Sequence, residues 1–318
     1  MICLDAYKNL NIQIVDNSVA ISPCCLYPTT KINEIKFYSD PVLTTARQQW
    51  DIDTAPQGCY TCVLAEQLGN SSRRQGSNQW YTDNGHNNTK IELLRLDYWT
   101  GDACNLRCSI CGPQYSSAWK EELKLPIIER KQTINNTWKD LDLSKLKLIH
   151  FNGGEPLLSK EHIQFLIAVP NKSQVVVNYN TNGTIKPSTQ LLELWEEFKL
   201  IQLDFSIDDI GDRFEYQRYP AKWNNVVENL QWYINNSPVN CMFAVNTTVS
   251  ILNQNNLTNL NDWLVQNFST NRVSDPIEYR QQAVVGVLEE LTPQAIKYLD
   301  GCDQRRGTNW RTTFPELA

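Results

Sequence analysis

The sequence lacks several features that would place it in a common class of protein. No run approaches the about 20 apolar residues that a membrane-spanning helix needs. The first eight residues lack a basic region followed by an apolar core, so we expect no secretory signal. Positive charge is not in excess, because 35 acidic residues outweigh 29 basic ones, which disfavours a uniform basic face for nucleic acid. The three histidines, His86, His150 and His162, all lie far from the cysteines in sequence.

The composition is ordinary for a globular protein with a substantial core. Of the 318 residues, 41% are hydrophobic and 20% are charged. The length allows one large domain or two smaller ones. Two arginine pairs, Arg73–Arg74 and Arg305–Arg306, could form local basic patches. We expect them to be solvated surface, which leaves nucleic acid disfavoured as a partner.

Ten cysteines occur, and most of them are grouped. A chain of this length without a secretory signal is poorly explained as a disulfide scaffold. The grouping indicates metal or iron–sulfur ligation in a reducing compartment, which predicts a cytoplasmic protein. The cysteines are Cys3, the pair Cys24 and Cys25, Cys59 and Cys62, Cys104, Cys108 and Cys111, and the isolated Cys241 and Cys302.

The first 88 residues are predicted to form a small cysteine-rich module of irregular structure with short strands. Residues 12–16 and 19–22 alternate partly in hydrophobicity around the turn signal Asp16-Asn17-Ser18, which predicts a hairpin. The stretch 69–88 is polar and rich in Gly, Ser and Asn, which is typical of a loop or linker.

Residues 89–275 alternate between strand-like and helix-like patterns. This alternation predicts an α/β fold with parallel strands and right-handed crossovers. Five β/α units and a sixth strand are too few for an eight-fold barrel, so a partial barrel or an open sheet is expected. The predicted strands are 91–98, 146–152, 174–180, 200–207, 241–249 and 277–282, and the predicted helices are 116–123, 160–168, 189–198, 223–234 and 257–268.

Residues 276–318 are predicted to be an extension that packs on the barrel. One helix is expected at Pro293–Leu299, followed by a polar tail over 303–311. In this reading Cys302 is exposed in the tail, whereas Cys241 starts an apolar strand and is a core thiol.

A C-x3-C-x2-C run, formed by Cys104, Cys108 and Cys111, follows the first predicted strand of the α/β region. This spacing lets three thiolates converge on one inorganic cluster and leaves a fourth metal position unclaimed. Loops at the carboxyl ends of parallel strands are also where sites form in such folds. Zinc is the alternative, but zinc usually takes paired C-x2-C units and a nearby fourth ligand.

The next predicted strand ends in Gly153-Gly154-Glu155. With this turn one β/α unit after the cysteine loop, the chain resembles the radical S-adenosylmethionine (SAM) superfamily over roughly residues 90–270. The resemblance implies a partial (β/α)6 TIM-like barrel. It also implies that the three cysteines ligate a [4Fe–4S] cluster whose unique iron chelates SAM, and that Gly153, Gly154 and Glu155 bind the methionine amino group.

Further residues match the family's SAM site by position. The resemblance implies that Asn180 and Asn182 line the SAM site, that Ser206 and Asp208 contact the ribose, and that Arg218 contacts the SAM carboxylate. A strand end followed by a helix cap is the alternative for Ser206 and Asp208.

One position departs from the family's pattern. Ile110 precedes the third cysteine, where the family often has an aromatic residue that holds adenine. An apolar side chain can still pack on a purine face. Asn246 and Val249 on the fifth strand are weaker candidates for the SAM site.

The remaining grouped cysteines suggest a second metal site. Cys59 and Cys62 can present two thiolates from a tight turn, and Cys3 with either Cys24 or Cys25 completes four ligands. This pattern resembles the auxiliary-cluster modules called SPASM and twitch, although the module here precedes the barrel. The resemblance implies one auxiliary [4Fe–4S] cluster; a zinc knuckle and unmetallated thiols are the alternatives.

The resemblance also implies the chemistry. An electron donor such as flavodoxin or ferredoxin reduces the cluster, SAM is cleaved to methionine and a 5′-deoxyadenosyl radical, and this radical abstracts hydrogen from a substrate. A peptide or protein side chain is the expected substrate of such an oxidoreductase or maturase. A nucleotide or small metabolite is the alternative, and a non-catalytic iron–sulfur or zinc-binding interaction protein is the alternative of another class.

Overall fold

The structure of the chain is a computed structural model. It describes residues 2–15, 18–126, 137–268, 277–283 and 287–318. The chain divides into two compact units. The first comprises Met1–Gly101, Ile128–Gly153 and Glu161–Val177, and the second comprises Asp102–Ile127, Gly154–Lys160 and Asn178–Ala318.

Strands and helices alternate over most of the described chain. The strands are β1 (Asn9–Val15), β2 (Ser18–Ser22), β3 (Thr30–Ile32), β4 (Arg95–Trp99), β5 (Leu148–Asn152), β6 (Val176–Thr181), β7 (Leu200–Ser206), β8 (Cys241–Val249) and β9 (Glu278–Ala283). The helices are α1 (Asp5–Lys8), α2 (Pro41–Asp51), α3 (Tyr60–Gln67), α4 (Arg73–Asp83), α5 (Ser117–Glu122), α6 (Lys160–Ala168), α7 (Thr189–Glu196), α8 (Gly211–Gln217), α9 (Trp223–Asn236), α10 (Leu257–Asn267), α11 (Pro293–Arg306) and α12 (Trp310–Thr313).

The first unit is built on strands in the order β3-β2-β1-β4-β5. β2 is antiparallel to β1 and β3, whereas β1, β4 and β5 run parallel. One face of these strands is apolar. Tyr98 of β4 lies on this face, with its ring 5.4 Å from that of Phe165 and 6.0 Å from that of Phe151. Aromatic pairs of this kind add about 0.5–1.5 kcal/mol each beyond the area they bury.

The opposite face of the same strands is polar and also buried. Asn9 and Asp97 lie on it, and the side-chain amide of Asn9 donates to a carboxylate oxygen of Asp97 at 3.1 Å. The same amide donates to the carbonyl of Pro23 at 2.9 Å. Buried polar groups need such partners, and here they fix the backbone that leads into Cys24.

The predicted N-terminal hairpin is confirmed, since β1 pairs with β2 from Asn11–Ser22 to Val15–Ser18. The predicted turn residues Asp16 and Asn17 lie outside the described residues. The module is not irregular elsewhere, because α2 and α3 occupy segments in which no helix is expected from the sequence.

The prediction of a loop over residues 69–88 is wrong, because α4 lies within it. The helix begins with a capping box, in which Ser72 Oγ accepts from the Gln75 N–H and Gln75 Oε1 accepts from the Ser72 N–H, both at 3.1 Å. Ser followed three residues later by Gln is a helix-start signal. That signal outweighs the weak helix propensity of the Gly- and Asn-containing segment.

The second unit contains β7, β8 and β9, which are parallel to one another. β6 begins in the first unit and ends in the second. Phe205 of β7 packs its ring 5.1 Å from that of Tyr233 in α9 and 6.3 Å from that of Phe243 in β8. The predicted strands and helices of this region are confirmed to within a few residues at their ends.

The prediction of a polar C-terminal tail is wrong, because α11 continues to Arg306. Ala295, Leu299 and Cys302 lie on one buried face of the helix, at spacings of four and three residues. The Cys302 thiol is therefore fully buried rather than exposed. Gly307, at φ 67°, ends the helix in the left-handed conformation that favours glycine.

The predicted α/β class is confirmed. Along the described residues from β4 to α11, the chain passes through six successive β/α units. The strand pairs β4–β5, β7–β8 and β8–β9 are parallel. Within the described ranges, no helix is both long enough and apolar enough to cross a membrane.

Candidate functional site

The three cysteines of the C-x3-C-x2-C run lie in the loop that precedes α5. The hydroxyl of Ser117 accepts from the backbone N–H of Cys104 and donates to the Cys104 carbonyl, both at 3.1 Å. The indole N–H of Trp119 donates to the carbonyl of Cys108 at 3.0 Å, and the N–H of Cys111 donates to that same carbonyl at 3.0 Å. The first turns of α5 therefore hold the loop that carries the thiols.

The three thiols are free, largely shielded from water, and close enough to influence one another. Burial raises the pKa of Cys104 to about 11, with further contributions from Glu155 and Cys111. Burial raises the pKa of Cys108 further, and repulsion from Cys111 and Cys104 adds to it. Burial thus opposes ionisation of these thiols, and a bound cation such as iron would favour the thiolate forms.

Hydrogen-bond donors are directed at two of the sulfur atoms. The backbone N–H of Leu106 lies 3.5 Å from the Cys104 sulfur, and the side-chain amide of Asn182 lies 4.0 Å from it. The guanidinium of Arg218 lies 3.9 Å from the Cys108 sulfur. Donors to sulfur stabilise thiolate ligands, so the donor set fits an iron–sulfur cluster, which takes one thiolate at each of several irons. In the described part of the chain, no three His, Cys, Asp or Glu side chains close on a single ion.

The two glycines of the Gly-Gly-Glu turn are required by neighbouring backbone. A Cβ on Gly154 would lie 2.2 Å from the Ala103 carbonyl oxygen, and a Cβ on Gly153 would lie 2.6 Å from that of Gly101. Gly153 also has φ +105°, which side chains rarely adopt. The close approach of the turn to the backbone of Gly101 and Ala103 therefore requires glycine at both positions, whether or not a ligand also approaches them.

Glu155 is 1% exposed, and its carboxylate is held by three donors. One oxygen accepts from the Thr181 hydroxyl (2.9 Å) and the Leu157 N–H (3.2 Å), and the other accepts from the Asn182 N–H (2.7 Å). Burial raises the pKa of Glu155 to about 7 despite these bonds. A carboxylate has about four acceptor sites, so one site remains on the second oxygen.

Asn182 is a structural organiser of the cysteine loop. Its side-chain amide donates to Asn105 Oδ1 at 3.0 Å, and its Oδ1 accepts from the Thr184 N–H at 2.9 Å. Asn180 lies two residues earlier, on β6, and is half-buried. Asn105, which the sequence analysis did not single out, therefore forms a polar group with Asn182 and Thr184.

Asp208 and Arg218 form a buried ion pair. Asp208 Oδ2 lies 2.8 Å from Arg218 Nε, although the N–H is not directed at that oxygen. The other oxygen of Asp208 accepts from the Thr248 N–H at 2.9 Å. Ser206 ends β7, half-buried and in register with Asn246 of β8.

Ile110 lies beside the C-terminal helices. It packs against an apolar cluster that includes Leu299 and Trp310. It also lines a cavity of about 370 Å³ together with Cys111 and Tyr298, whose hydroxyl donates to the Ser109 carbonyl at 2.7 Å. The α11 helix, in the segment predicted to pack on the barrel, therefore forms part of the surroundings of the third cysteine.

Four of the five N-terminal cysteines line one small cavity in the first unit. They are Cys3, Cys24, Cys59 and Cys62. Burial raises the pKa of Cys24 to about 12 and that of Cys59 to about 11, with repulsion from Cys62 acting on the second. The pKa of Cys3 is also raised, by burial first and then by Asp5, Cys24 and Cys59.

Cys25 is not among the residues that line this cavity. It lies near Arg73 and Asp97, whose opposite charges act on its thiol. Cys24 therefore lines the cavity and Cys25 does not, although Arg73 and Asp5 act on both thiols, and sequence spacing leaves this distinction open.

Arg73 and Arg74 line the same cavity as the four cysteines, so their assignment to solvated surface is wrong. Arg73 binds Asp97 at 2.8 Å, and Arg74 Nε donates to Glu66 at 2.9 Å. Both side chains are mostly buried, with 22% and 12% exposed. Both arginines lie at the start of α4, and the prediction of a loop over this segment gave no reason to expect them to be buried.

The prediction of solvated surface is also wrong for the second arginine pair, Arg305 and Arg306. Arg306 is 2% exposed and lies 3.0 Å from Glu122, and Arg305 lies 2.7 Å from the same carboxylate. Neither pair forms an open basic patch.

Comparison with known proteins supports the assignment of the central motif. Residues 100–256 match the sequence family described as the Radical SAM superfamily. This segment contains the C-x3-C-x2-C run and the Gly-Gly-Glu turn. No curated protein matches the chain.

Solved structures show weak similarity. A structure of anSMEcpe with bound AdoMet is 16% identical, covering 68% of this chain and 62% of that one, with a TM-score of 0.44. Streptococcus suis SuiB bound to precursor peptide SuiA is 13% identical, covering 100% of this chain and 75% of that one, with a TM-score of 0.42. The chain thus spans less than two thirds of the length of anSMEcpe, and at these TM-scores neither likeness bears on its function.

Proposed function

We propose that the protein is a radical SAM oxidoreductase or maturase, because residues 100–256 match the Radical SAM superfamily, whose members are enzymes. Its proposed reaction is reductive cleavage of SAM followed by hydrogen abstraction from a peptide or protein side chain. The observation that carries the proposal is the short loop that bears all three cysteines and is held against α5, with N–H donors near the sulfurs of Cys104 and Cys108.

The residues of the loop fit the proposed cofactor. Cys104, Cys108 and Cys111 would hold a [4Fe–4S] cluster and leave one iron for SAM. When bound, this cluster supplies the electron that cleaves SAM to methionine and a 5′-deoxyadenosyl radical. The chain's own part is to hold the thiolates, to orient SAM and to keep water out.

Glu155 is the proposed acceptor for the SAM ammonium. Three of its four acceptor sites are occupied by protein donors, which fixes the carboxylate in place. A positive group at the remaining site would favour the ionised form, which burial otherwise disfavours, since the pKa of Glu155 is raised to about 7. Asn180, Asn182, Ser206, Asp208 and Ile110 are proposed to complete the SAM site.

We further propose a twitch- or SPASM-like auxiliary cluster in the N-terminal module. Cys3, Cys24, Cys59 and Cys62 would supply four thiolates to a second [4Fe–4S] cluster, and Arg73 and Arg74 would offset its negative charge. Four cysteine ligands leave no open iron, so this cluster would transfer electrons rather than bind substrate. The resemblance of this module to peptide-modifying enzymes is the reason for proposing a peptide substrate.

The proposed cellular location is based on the state of the cysteines. All ten cysteines are free, which agrees with a reducing, cytoplasmic location. A one-electron donor such as flavodoxin or ferredoxin would serve as the reductant.

Anaerobic reconstitution with iron and sulfide tests the proposal. We expect about eight irons per chain from two [4Fe–4S] clusters, and 5′-deoxyadenosine from SAM in the presence of dithionite. Cys108→Ala should lose about four irons and all 5′-deoxyadenosine, whereas Cys241→Ala, at a buried thiol outside both sites, should retain both.

Two outcomes would overturn it. Stoichiometric zinc without iron–sulfur absorbance would make the protein a zinc-binding interaction protein. Continued formation of 5′-deoxyadenosine by Cys108→Ala would remove the assigned cluster site.

A further inference from the structure

The guanidinium of Arg218 lies against the sulfur of Cys108 rather than in an open cleft. Its Nη1 is 3.9 Å from the Cys108 sulfur, and the side chain is 7% exposed. A positive charge therefore lies beside the Cys108 sulfur and is shielded from water.

Backbone hydrogen bonds fix this position on both sides of Cys108. The N–H of Arg107 donates to the Tyr219 carbonyl, and the N–H of Ser109 donates to the Gln217 carbonyl, each at 2.7 Å. Residue 218 is thereby held opposite residue 108. The contact does not depend on a flexible side chain reaching across solvent.

Asp208 lies on the other side of the same guanidinium. Its Oδ2 is 2.8 Å from Arg218 Nε, and it is itself held by the Thr248 N–H and by the Asn253 side-chain amide, which donates to its backbone carbonyl at 2.9 Å. Its side chain has no exposed surface. Arg218 thus lies between a thiolate ligand and a carboxylate, and neither charge is screened by water.

Reduction of an iron–sulfur cluster adds negative charge beside its ligands. A buried positive charge therefore makes reduction easier, and a buried negative charge makes it harder. Charge near the sulfurs is among the factors that set the potential of such clusters.

We propose that the charges of Arg218 and Asp208 set the reduction potential of the cluster held by Cys104, Cys108 and Cys111. Arg218 raises this potential and Asp208 lowers it. The inference rests on the proposed function, because it requires that this cluster forms. It differs from the SAM-carboxylate role that the family resemblance implies for Arg218.

The test is a redox titration of the reconstituted chain without SAM, followed by electron paramagnetic resonance. SAM is added after each titration to identify the signal of this cluster by its change. The variants are Arg218→Gln, Arg218→Lys and Asp208→Asn. Arg107→Gln is the matched control, since Arg107 adjoins Cys108 in sequence but its guanidinium donates to the Ala118 carbonyl and lies near Glu121.

The expected shifts have opposite signs. Arg218→Gln should disfavour reduction at least tenfold, which is about 59 mV more negative for one electron. Asp208→Asn should shift the potential in the positive direction. Arg218→Lys, which keeps the charge, and Arg107→Gln should remain near the wild-type potential.

The outcomes separate the inference from the proposed function. A wild-type chain that takes up no cluster at these cysteines removes the proposed function and the inference with it. A cluster of full iron content whose potential is unchanged in Arg218→Gln overturns the inference alone, as does a shift of the same sign in Asp208→Asn. If Arg218→Gln fails to fold, the opposite shift in Asp208→Asn and the retained potential of Arg218→Lys decide the question.

Discussion

The carboxylate of Glu155 accepts a 2.7 Å hydrogen bond from the backbone N–H of Asn182. This contact joins the Gly-Gly-Glu turn to the segment that follows β6. Asn182 in turn binds Asn105 within the cysteine loop. One buried carboxylate therefore links three segments of the chain that would surround SAM.

Glu155 should make stability depend on pH. Its folded-state pKa, about 7, lies above the ordinary value of 4.5. The stabilising contribution is therefore complete below about pH 4.5 and is lost as pH rises through 7. Relative to Glu155→Gln, the wild-type chain should lose about 2.5 kcal/mol of unfolding free energy between pH 5 and pH 8.

Urea unfolding of both proteins at pH 5, 6, 7 and 8 measures this difference. Glu193→Gln, at an exposed position of α7, is the control and should give a constant difference. A constant difference for Glu155→Gln would contradict the prediction.

Gly154→Ala should disrupt the cysteine loop. The new Cβ would lie 2.2 Å from a backbone oxygen and 2.7 Å from the backbone carbon of Ala103, neither of which can rotate away. We expect a loss of about 3 kcal/mol or more and reduced iron uptake.

Gly76→Ala provides the matched control. A Cβ at Gly76 meets nothing within 4 Å, and the residue lies inside α4. This substitution should stabilise the chain by about 0.5–1 kcal/mol. Thermal unfolding and iron content distinguish the two variants, and equal behaviour would refute the steric argument.

Cys24 and Cys25 should differ as ligands although they are adjacent. Cys24→Ala should remove about four irons per chain, because its thiol lines the cavity with Cys3, Cys59 and Cys62. Cys25→Ala should retain the full iron content, because Cys25 is not among the residues that line this cavity. Iron analysis after reconstitution gives the answer, and the reverse result would exchange the two assignments.

Glu122 should anchor the C-terminal helix. Its side chain is 6% exposed and binds Arg305 and Arg306, and removal of its charge leaves the buried Arg306 guanidinium without this carboxylate. Breaking a buried pair from one side costs about 3–5 kcal/mol. We therefore expect Glu122→Gln to destabilise the chain by about 3 kcal/mol and to speed amide exchange in α11.

The neighbouring glutamate supplies the control. Glu121 is 71% exposed and lies 3.6 Å from Arg107. Exposed pairs contribute about 0–1 kcal/mol, so Glu121→Gln should change unfolding by less than about 0.5 kcal/mol. Equal effects of the two substitutions would mean that the ion pair does not anchor α11.

Local patterns in the sequence were sufficient for most of the α/β region, although they did not predict α8. The strand Cys241–Val249 and the helix Lys160–Ala168 were predicted with the bounds that the structure gives them, because apolar periodicity there agrees with burial. Helix α4 and the second half of α11 were missed. Their composition is polar, and they are stabilised by a capping box and by a buried face whose partners lie far away in sequence.

The sequence by itself determined the chemistry available to this protein: ten thiols, seven of them in close groups, and a Gly-Gly-Glu turn one β/α unit beyond the central trio. Spacing along the chain is enough for that, because neighbouring residues are close in any fold. Only the tertiary structure decided that Cys24 rather than Cys25 lines the thiol cavity, that Arg73 and Arg74 face it, and that Arg218 lies between Cys108 and Asp208. Those relations join residues up to 110 positions apart. They depend on packing and on the burial of charge, which no local sequence pattern specifies.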